Sequence, residues 1–150
     1  MNPMSTPALY REAVLDHYRN PRNRGVLAEH THAADGVNPL CGDSLRVELN
    51  CARGRIVDMR FSGEACAITI ATASMLSELV RGLEIAQVAT LHAPFEQVLL
   101  GELDADRKLG SLNALAELHR YPARRKCAEL PWATLQAALA GTARVSTEAP

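Results

Sequence analysis

The stretch 45-LRVELNCARGRIVDMRF-61 decides the fold class. Apolar and polar residues alternate along it. Leu45, Val47, Leu49 and Cys51 fall on one side, and Arg46, Glu48 and Asn50 on the other. Arg53-Gly54 marks a turn. Beyond it Val57, Met59 and Phe61 alternate with Asp58, Arg60 and Ser62. Successive side chains of a strand point to opposite faces, so each half reads as a strand with one buried face. Together they predict an antiparallel hairpin.

Toward the N-terminus, Thr6-Pro7 offers a capping hydroxyl and a proline for the first turn of a helix. Leu9, Tyr10, Ala13, Val14, His17 and Tyr18 recur at helical spacing, and Asn20-Pro21 ends the pattern. Residues 20–40 contain Pro21, Gly25, Gly36 and Pro39 and read as one long connection. Connections of that length inside a domain are often functional.

Toward the C-terminus, Ser62-Gly63 breaks the alternation. The run 68-ITIATASMLSELVRG-82 predicts a helix stopped by Gly82, with small residues that let another backbone come close. Shorter helical pieces follow at 84-EIAQV-88, 94-PFEQVLL-100 and 111-SLNALAELHRY-121, with the polar, exposed 101-GELDADRKLG-110 between the last two. Pro122 interrupts, and 131-PWATLQAALAG-141 gives a closing helix. The expected organisation is one domain over 1–141 with a flexible tail over 142–150. Helix, strands, then helices define an α+β fold: a small antiparallel sheet with helices packed on one face.

At 150 residues and 47% hydrophobic content, one core can form without disulfide staples. The net charge of −1 lacks the basic footprint of a nucleic-acid binder, and 4% aromatics are too few for a base-stacking platform. No run of uncharged apolar residues is long enough for a membrane helix. The first residues lack the basic-then-apolar order of a secretory signal, so a cytoplasmic location is expected. In that compartment Cys41, Cys51, Cys66 and Cys127 stay reduced, and metal binding or catalysis outranks disulfides.

The cysteines differ in context. Cys51 is in phase with the buried face of its strand and reads as core. Cys41 opens 41-CGD-43, where Gly42 lets the chain turn and bring a thiol and the Asp43 carboxylate toward one point. Both are zinc ligands, although so short a motif does not establish a site. Cys66 lies at the start of a helix, where backbone N–H groups favour a thiolate. Cys127 follows Arg124, Arg125 and Lys126, cations that lower a thiol pKa. Three thiolates, one carboxylate and Zn²⁺ sum to a charge of about −2, which those cations would offset. The residues alone leave zinc and an iron–sulfur cluster both open.

Four stretches carry a resemblance: 9-LYREAVLDHYRNPRNRG-25, 36-GVNPLCGDSL-45, 61-FSGEACAITIATASML-76 and 124-RRKCAELPW-132. In them the chain resembles the IscU/NifU N-terminal family of iron–sulfur cluster assembly proteins, and specifically its SufU branch. The resemblance implies metal ligands at Cys41, Asp43, Cys66 and Cys127, with Cys51 outside the motif. It also implies the α+β fold already read from the pattern. Two departures from IscU point to SufU. Lys126 stands where IscU has a histidine, and 60 residues separate Cys66 from Cys127, with the extra segment around 83–108. His17, His30, His32, His92 and His119 lie outside the motif positions, and His17 is expected to face solvent or a partner.

The SufU resemblance implies tightly bound zinc and a zinc-dependent sulfurtransferase that accepts persulfide sulfur from a PLP-dependent, SufS-like cysteine desulfurase. Cys41 would carry the persulfide and pass it to downstream cluster assembly proteins. Arg124, Arg125 and Lys126 would meet the partner or compensate charge. The competing expectation is a non-enzymatic scaffold that holds Fe²⁺ or a transient [2Fe-2S] cluster on the same residues.

Overall fold

The computed structural model describes residues 6–148, with the Thr6 side chain excepted, so the expected Thr6 cap lies outside the described residues. Helix α1 spans Thr6–Arg19 and stops, as expected, ahead of Asn20-Pro21. Strand β1 is His32–Asn38, β2 is Asp43–Ala52 and β3 is Arg55–Glu64. Helices α2 (Ala67–Val80), α3 (Ile85–Ala89) and α4 (His92–Leu99) follow. A 3-10 stretch kinked at Gly110 covers Arg107–Arg120, and α5 (Pro122–Ala140) and β4 (Arg144–Ser146) complete the order.

The α+β class holds, and the sheet is larger than a hairpin. Its strand order is β3-β2-β1-β4, antiparallel except that β4 runs parallel to β1. Two segments read as irregular therefore contain strands. β1 lies inside the expected connection 20–40, where Ala, Asp, Gly and Asn hide any hydrophobic alternation. β4 lies inside the expected flexible tail, and a strand of three residues carries too little pattern to announce itself. The rest of the connection is tied down as well. Gly25 N donates to Phe61 O, Phe61 N donates to Asn23 O, and Leu27 N donates to the carboxylate of buried Glu48.

The inner face carries Ala34, Leu45, Val47, Leu49, Ile56, Met59 and Phe61, all close to fully buried. One residue on each strand of the hairpin departs from its expected place. The ladder slips between Asn50 and Cys51, so Cys51 pairs with Ile56 while Asn50 pairs with Asp58. Val57 is the extra residue of this bulge. It turns outward at 51% exposure, Ile56 takes the core position, and Cys51 ends half-buried. Ser62-Gly63 does not end the strand, which continues to Glu64.

Helix α2 is the central element. It is buried nearly all round, from Ile68 to Val80, and its Ala, Ser and Thr residues let α1, α5 and β3 pack on it together. His17 of α1 faces this seam rather than solvent: it is 5% exposed, with Nδ1 2.8 Å from Ser74 Oγ. Ser74 Oγ also accepts the Arg22 backbone N–H. Burial accordingly pushes the His17 pKa down.

Helix α5 begins at Pro122, not after it. Proline in the first turn gives up an N–H that has no helical partner, so Pro122 starts the helix that it was expected to interrupt. Cys127 is therefore within a helix. α5 lies directly on β1 at Gly36, where a Cβ would come within 2.0 Å of Thr134 Oγ1. Among the described residues no helix is long and apolar enough to cross a membrane.

Candidate metal centre

Four elements converge at one end of the sheet. β1 ends at Asn38, and the turn to β2 carries Cys41. Gly42 in that turn has φ +69°, a left-handed conformation that glycine adopts without strain. Asp43 opens β2, Cys66 caps α2, and Cys127 lies in the second turn of α5.

This arrangement gathers three of the four expected ligands tightly. Ligand atoms of Cys41, Asp43 and Cys127 all lie within 4.8 Å of one another. Cys127 Sγ is 3.4 Å from Cys41 Sγ. Cys66 stands beside the trio and lines the same cleft, while its backbone N–H donates to Asp43 Oδ1 at 2.8 Å. The three thiols differ in access: Cys41 is exposed, Cys66 half-buried and Cys127 buried at 2%.

Asp43 is 3% exposed and fully supported. Besides the Cys66 N–H, it accepts from Thr69 Oγ1 at 2.8 Å. Its carboxylate thereby sits at the positive end of α2, where backbone N–H groups lack helical partners. The Thr69 hydroxyl also lies 3.1 Å from Cys127 O. That carbonyl would normally accept from the N–H four residues on, but residue 131 is proline and has none. One threonine thus ties together the strand, the central helix and the helix that bears the third thiol.

The thiols influence one another. The neighbouring Cys127 thiol pulls the Cys66 pKa down to about 6, and Thr69 adds to this. The same contact, with burial and the nearness of Cys41, pushes Cys127 upward. The cluster therefore loses a first proton readily and holds a later one. A divalent cation would relieve this by replacing protons between the sulfurs. Sulfur and carboxylate donors are of the kind that suits zinc, with Cys41, Asp43 and Cys127 gathered and Cys66 beside them.

The three cations of 124-RRK-126 part company. Arg124 lines the cleft with the cysteines, near the Tyr10 hydroxyl, and stacks over the Tyr121 ring at 5.7 Å. Arg125 lies near Glu129. Lys126 pairs with Glu148. Of the three, Arg124 is the one that lines the cleft. The cleft is otherwise walled by Tyr10, Val14, Ala67 and Ile68, with a volume of about 390 Å³.

Two supporting residues had not been singled out from the sequence. Thr69 lies three residues after Cys66, the helical spacing that lets its hydroxyl face the cap. Asn38 lies three before Cys41 and is fully buried, with Nδ2 3.6 Å from Cys127 Sγ. The histidines take other places: His92 packs on Trp132, His30 faces Glu48, and His119 bonds the Ala116 carbonyl.

A small sheet that presents cysteines from a turn, a helix cap and a helix face defines the class of IscU- and NifU-like folds. The NifU-like N terminal domain model matches residues 9–145. The chain belongs to this family, as a SufU-type member. It is 38% identical over 133 residues to the zinc-dependent sulfurtransferase SufU of Bacillus subtilis, covering 88% of this chain and 90% of that protein. It is 34% identical over 131 residues to the iron-sulfur cluster assembly scaffold protein IscU of Thermotoga maritima, covering 87% of this chain and 92% of that one. Among solved structures, a protein from Fervidobacterium islandicum AW-1, named for a scaffold role in the SUF system, superposes with TM-score 0.82 at 27% identity. That match covers 90% of this chain and 99% of the other.

Proposed function

We propose that this protein works in iron–sulfur cluster assembly as a zinc-dependent sulfurtransferase, taking persulfide sulfur onto Cys41 from a PLP-dependent cysteine desulfurase. One observation carries the reading: an exposed thiol on a glycine turn sits against a buried carboxylate and a buried thiol. Such a set retains a metal through its buried members while one thiol stays accessible. Its similarity to a protein named as a zinc-dependent sulfurtransferase supports the same assignment.

Cys41, Asp43, Cys66 and Cys127 would hold the zinc, which supplies charge that keeps the thiols deprotonated at neutral pH. Gly42 lets Cys41 move out of the cluster. The freed Cys41 thiolate attacks the outer sulfur of the desulfurase persulfide. A sulfur–sulfur bond forms to Cys41 as the desulfurase's own bond breaks, and its cysteine leaves as thiolate. No net oxidation occurs. Asp43, Cys66 and Cys127 stay in place, and Arg124 offers a positive charge at the cleft. A downstream assembly protein would then take the sulfur by a second exchange.

The test is metal content together with desulfurase turnover. Purified protein should contain stoichiometric zinc and stimulate turnover, and Cys41→Ala should abolish stimulation. If turnover is unchanged and an iron–sulfur chromophore builds up instead, the scaffold activity of the IscU relatives is the correct one.

A further inference from the structure

We propose that Asn38 is a positioning residue for the Cys127 sulfur, and that Thr147 of the C-terminal segment sets its orientation. This rests on the sulfurtransferase reading only for its consequence, which is to decide which thiol takes the sulfur.

Asn38 ends β1 and is fully buried, so both ends of its carboxamide need partners. Nδ2 points at Cys127 Sγ from 3.6 Å, and Oδ1 accepts from Thr147 Oγ1 at 3.1 Å. A flipped amide would set its carbonyl oxygen against the sulfur, with two electron-rich atoms facing each other. The Thr147 hydroxyl donates to Oδ1 and holds the amide with Nδ2 turned toward the sulfur.

Thr147 is itself held in place. β4 pairs in parallel with β1, and Thr147 N donates to Val37 O at 3.0 Å, next to Asn38. Glu148 then pairs with Lys126, the residue before Cys127. Residues 144–148 thus hold the amide that reaches the third thiol and the lysine before it, and none of them lines the cleft with Cys41. Asn38 does not line that cleft, so it acts through Cys127 and not on a reactant.

The chemical effect follows from the donor. An amide N–H aimed at a metal-held thiolate stabilises its negative charge and makes the sulfur a weaker nucleophile, so Cys127 is the less reactive thiol of the pair. Cys41 is exposed, and the contact recorded for its sulfur is with Cys127. Two thiols 3.4 Å apart are thereby made unequal, Cys127 as anchor and Cys41 as acceptor.

Thr147→Val keeps the shape and removes the hydroxyl, and Thr147→Ser restores it. Asn38→Ala removes the amide itself. Two readouts are needed on full-length protein: zinc release to a chromogenic chelator, and alkylation of each cysteine in the metal-free protein, resolved by mass spectrometry. In Thr147→Val, zinc release should quicken by about 10-fold. The ratio of Cys127 to Cys41 alkylation should rise, and Thr147→Ser should match the parent protein. An unchanged ratio in Thr147→Val and Asn38→Ala overturns the proposal. So does a serine variant that behaves like valine. If the parent protein binds no zinc, the sulfurtransferase reading fails. The alkylation ratio then still decides whether Asn38 governs Cys127.

Discussion

Thr69 Oγ1 lies 3.1 Å from Cys127 O, and its one proton is shared between that carbonyl, which lacks its helical donor because residue 131 is proline, and the nearer Asp43 carboxylate. The site depends on this shared hydroxyl. It fixes the depth of Cys127 relative to Asp43, which the same hydroxyl also reaches.

Thr69→Val should therefore be costly despite its near-identical shape. It leaves a buried carboxylate oxygen and a buried carbonyl without that donor, a loss of about 1–3 kcal/mol. Thermal unfolding of metal-free protein should show the drop, and Thr69→Ser should recover most of it. Equal midpoints for the valine variant and the parent would sink this assignment.

Gly36→Ala should push α5 away from β1, because the new Cβ would overlap Thr134 Oγ1 at 2.0 Å. Overpacking of this kind costs about 1–3 kcal/mol. Cys127 rides on α5, so zinc should also be released faster. Adding Thr134→Ala removes the overlapping hydroxyl and should rescue part of both effects. A double variant no better than Gly36→Ala alone would count against direct helix–strand contact as the cause.

Stability should fall on mild acidification through His17. Its folded-state pKa lies below the ordinary value of 6.5 because of burial, with Arg22 adding to the effect. Below about pH 6.5 the unfolded chain therefore takes up a proton that the folded chain refuses, and folding loses free energy as pH drops. The loss levels off once the folded-state pKa is passed. Urea unfolding of metal-free protein between about pH 7.5 and 5.5 should show the slope, and His17→Gln should flatten it.

Cys51 should be dispensable for metal. It lies at the bulge of the hairpin, away from the cluster, and burial pushes its pKa up. Cys51→Ala should keep the zinc content of the parent protein, whereas Cys66→Ala should lower it. Equal loss in both variants would show that Cys66 has no special place beside the trio.

The residues that were legible in sequence are those whose role is local. The alternation from Leu45 to Leu49 predicted β2 because a strand's side-chain period does not depend on what packs against it. Cys41-Gly42-Asp43 announced a turn that brings a thiol and a carboxylate together, and the run from Ile68 announced the helix that Cys66 precedes. Where a long-range partner decides the outcome, the local pattern was silent or misleading. Val57 looked inward until the bulge against Asn50 and Cys51 turned it out. Pro122 looked like a break and starts a helix instead.

The amino-acid sequence by itself determined the α+β class, the hairpin, the central small-residue helix and, through the family resemblance, the identity of the candidate ligands. Only the tertiary structure decided that β1 and β4 exist, that Lys126 turns to Glu148 and leaves Arg124 at the cleft, and that Asn38 and Thr69 hold Cys127 from two sides. The physical reason is that hydrogen bonds between residues 58 to 109 positions apart leave no periodic trace in the chain. They arise only when the packed core brings those backbones together.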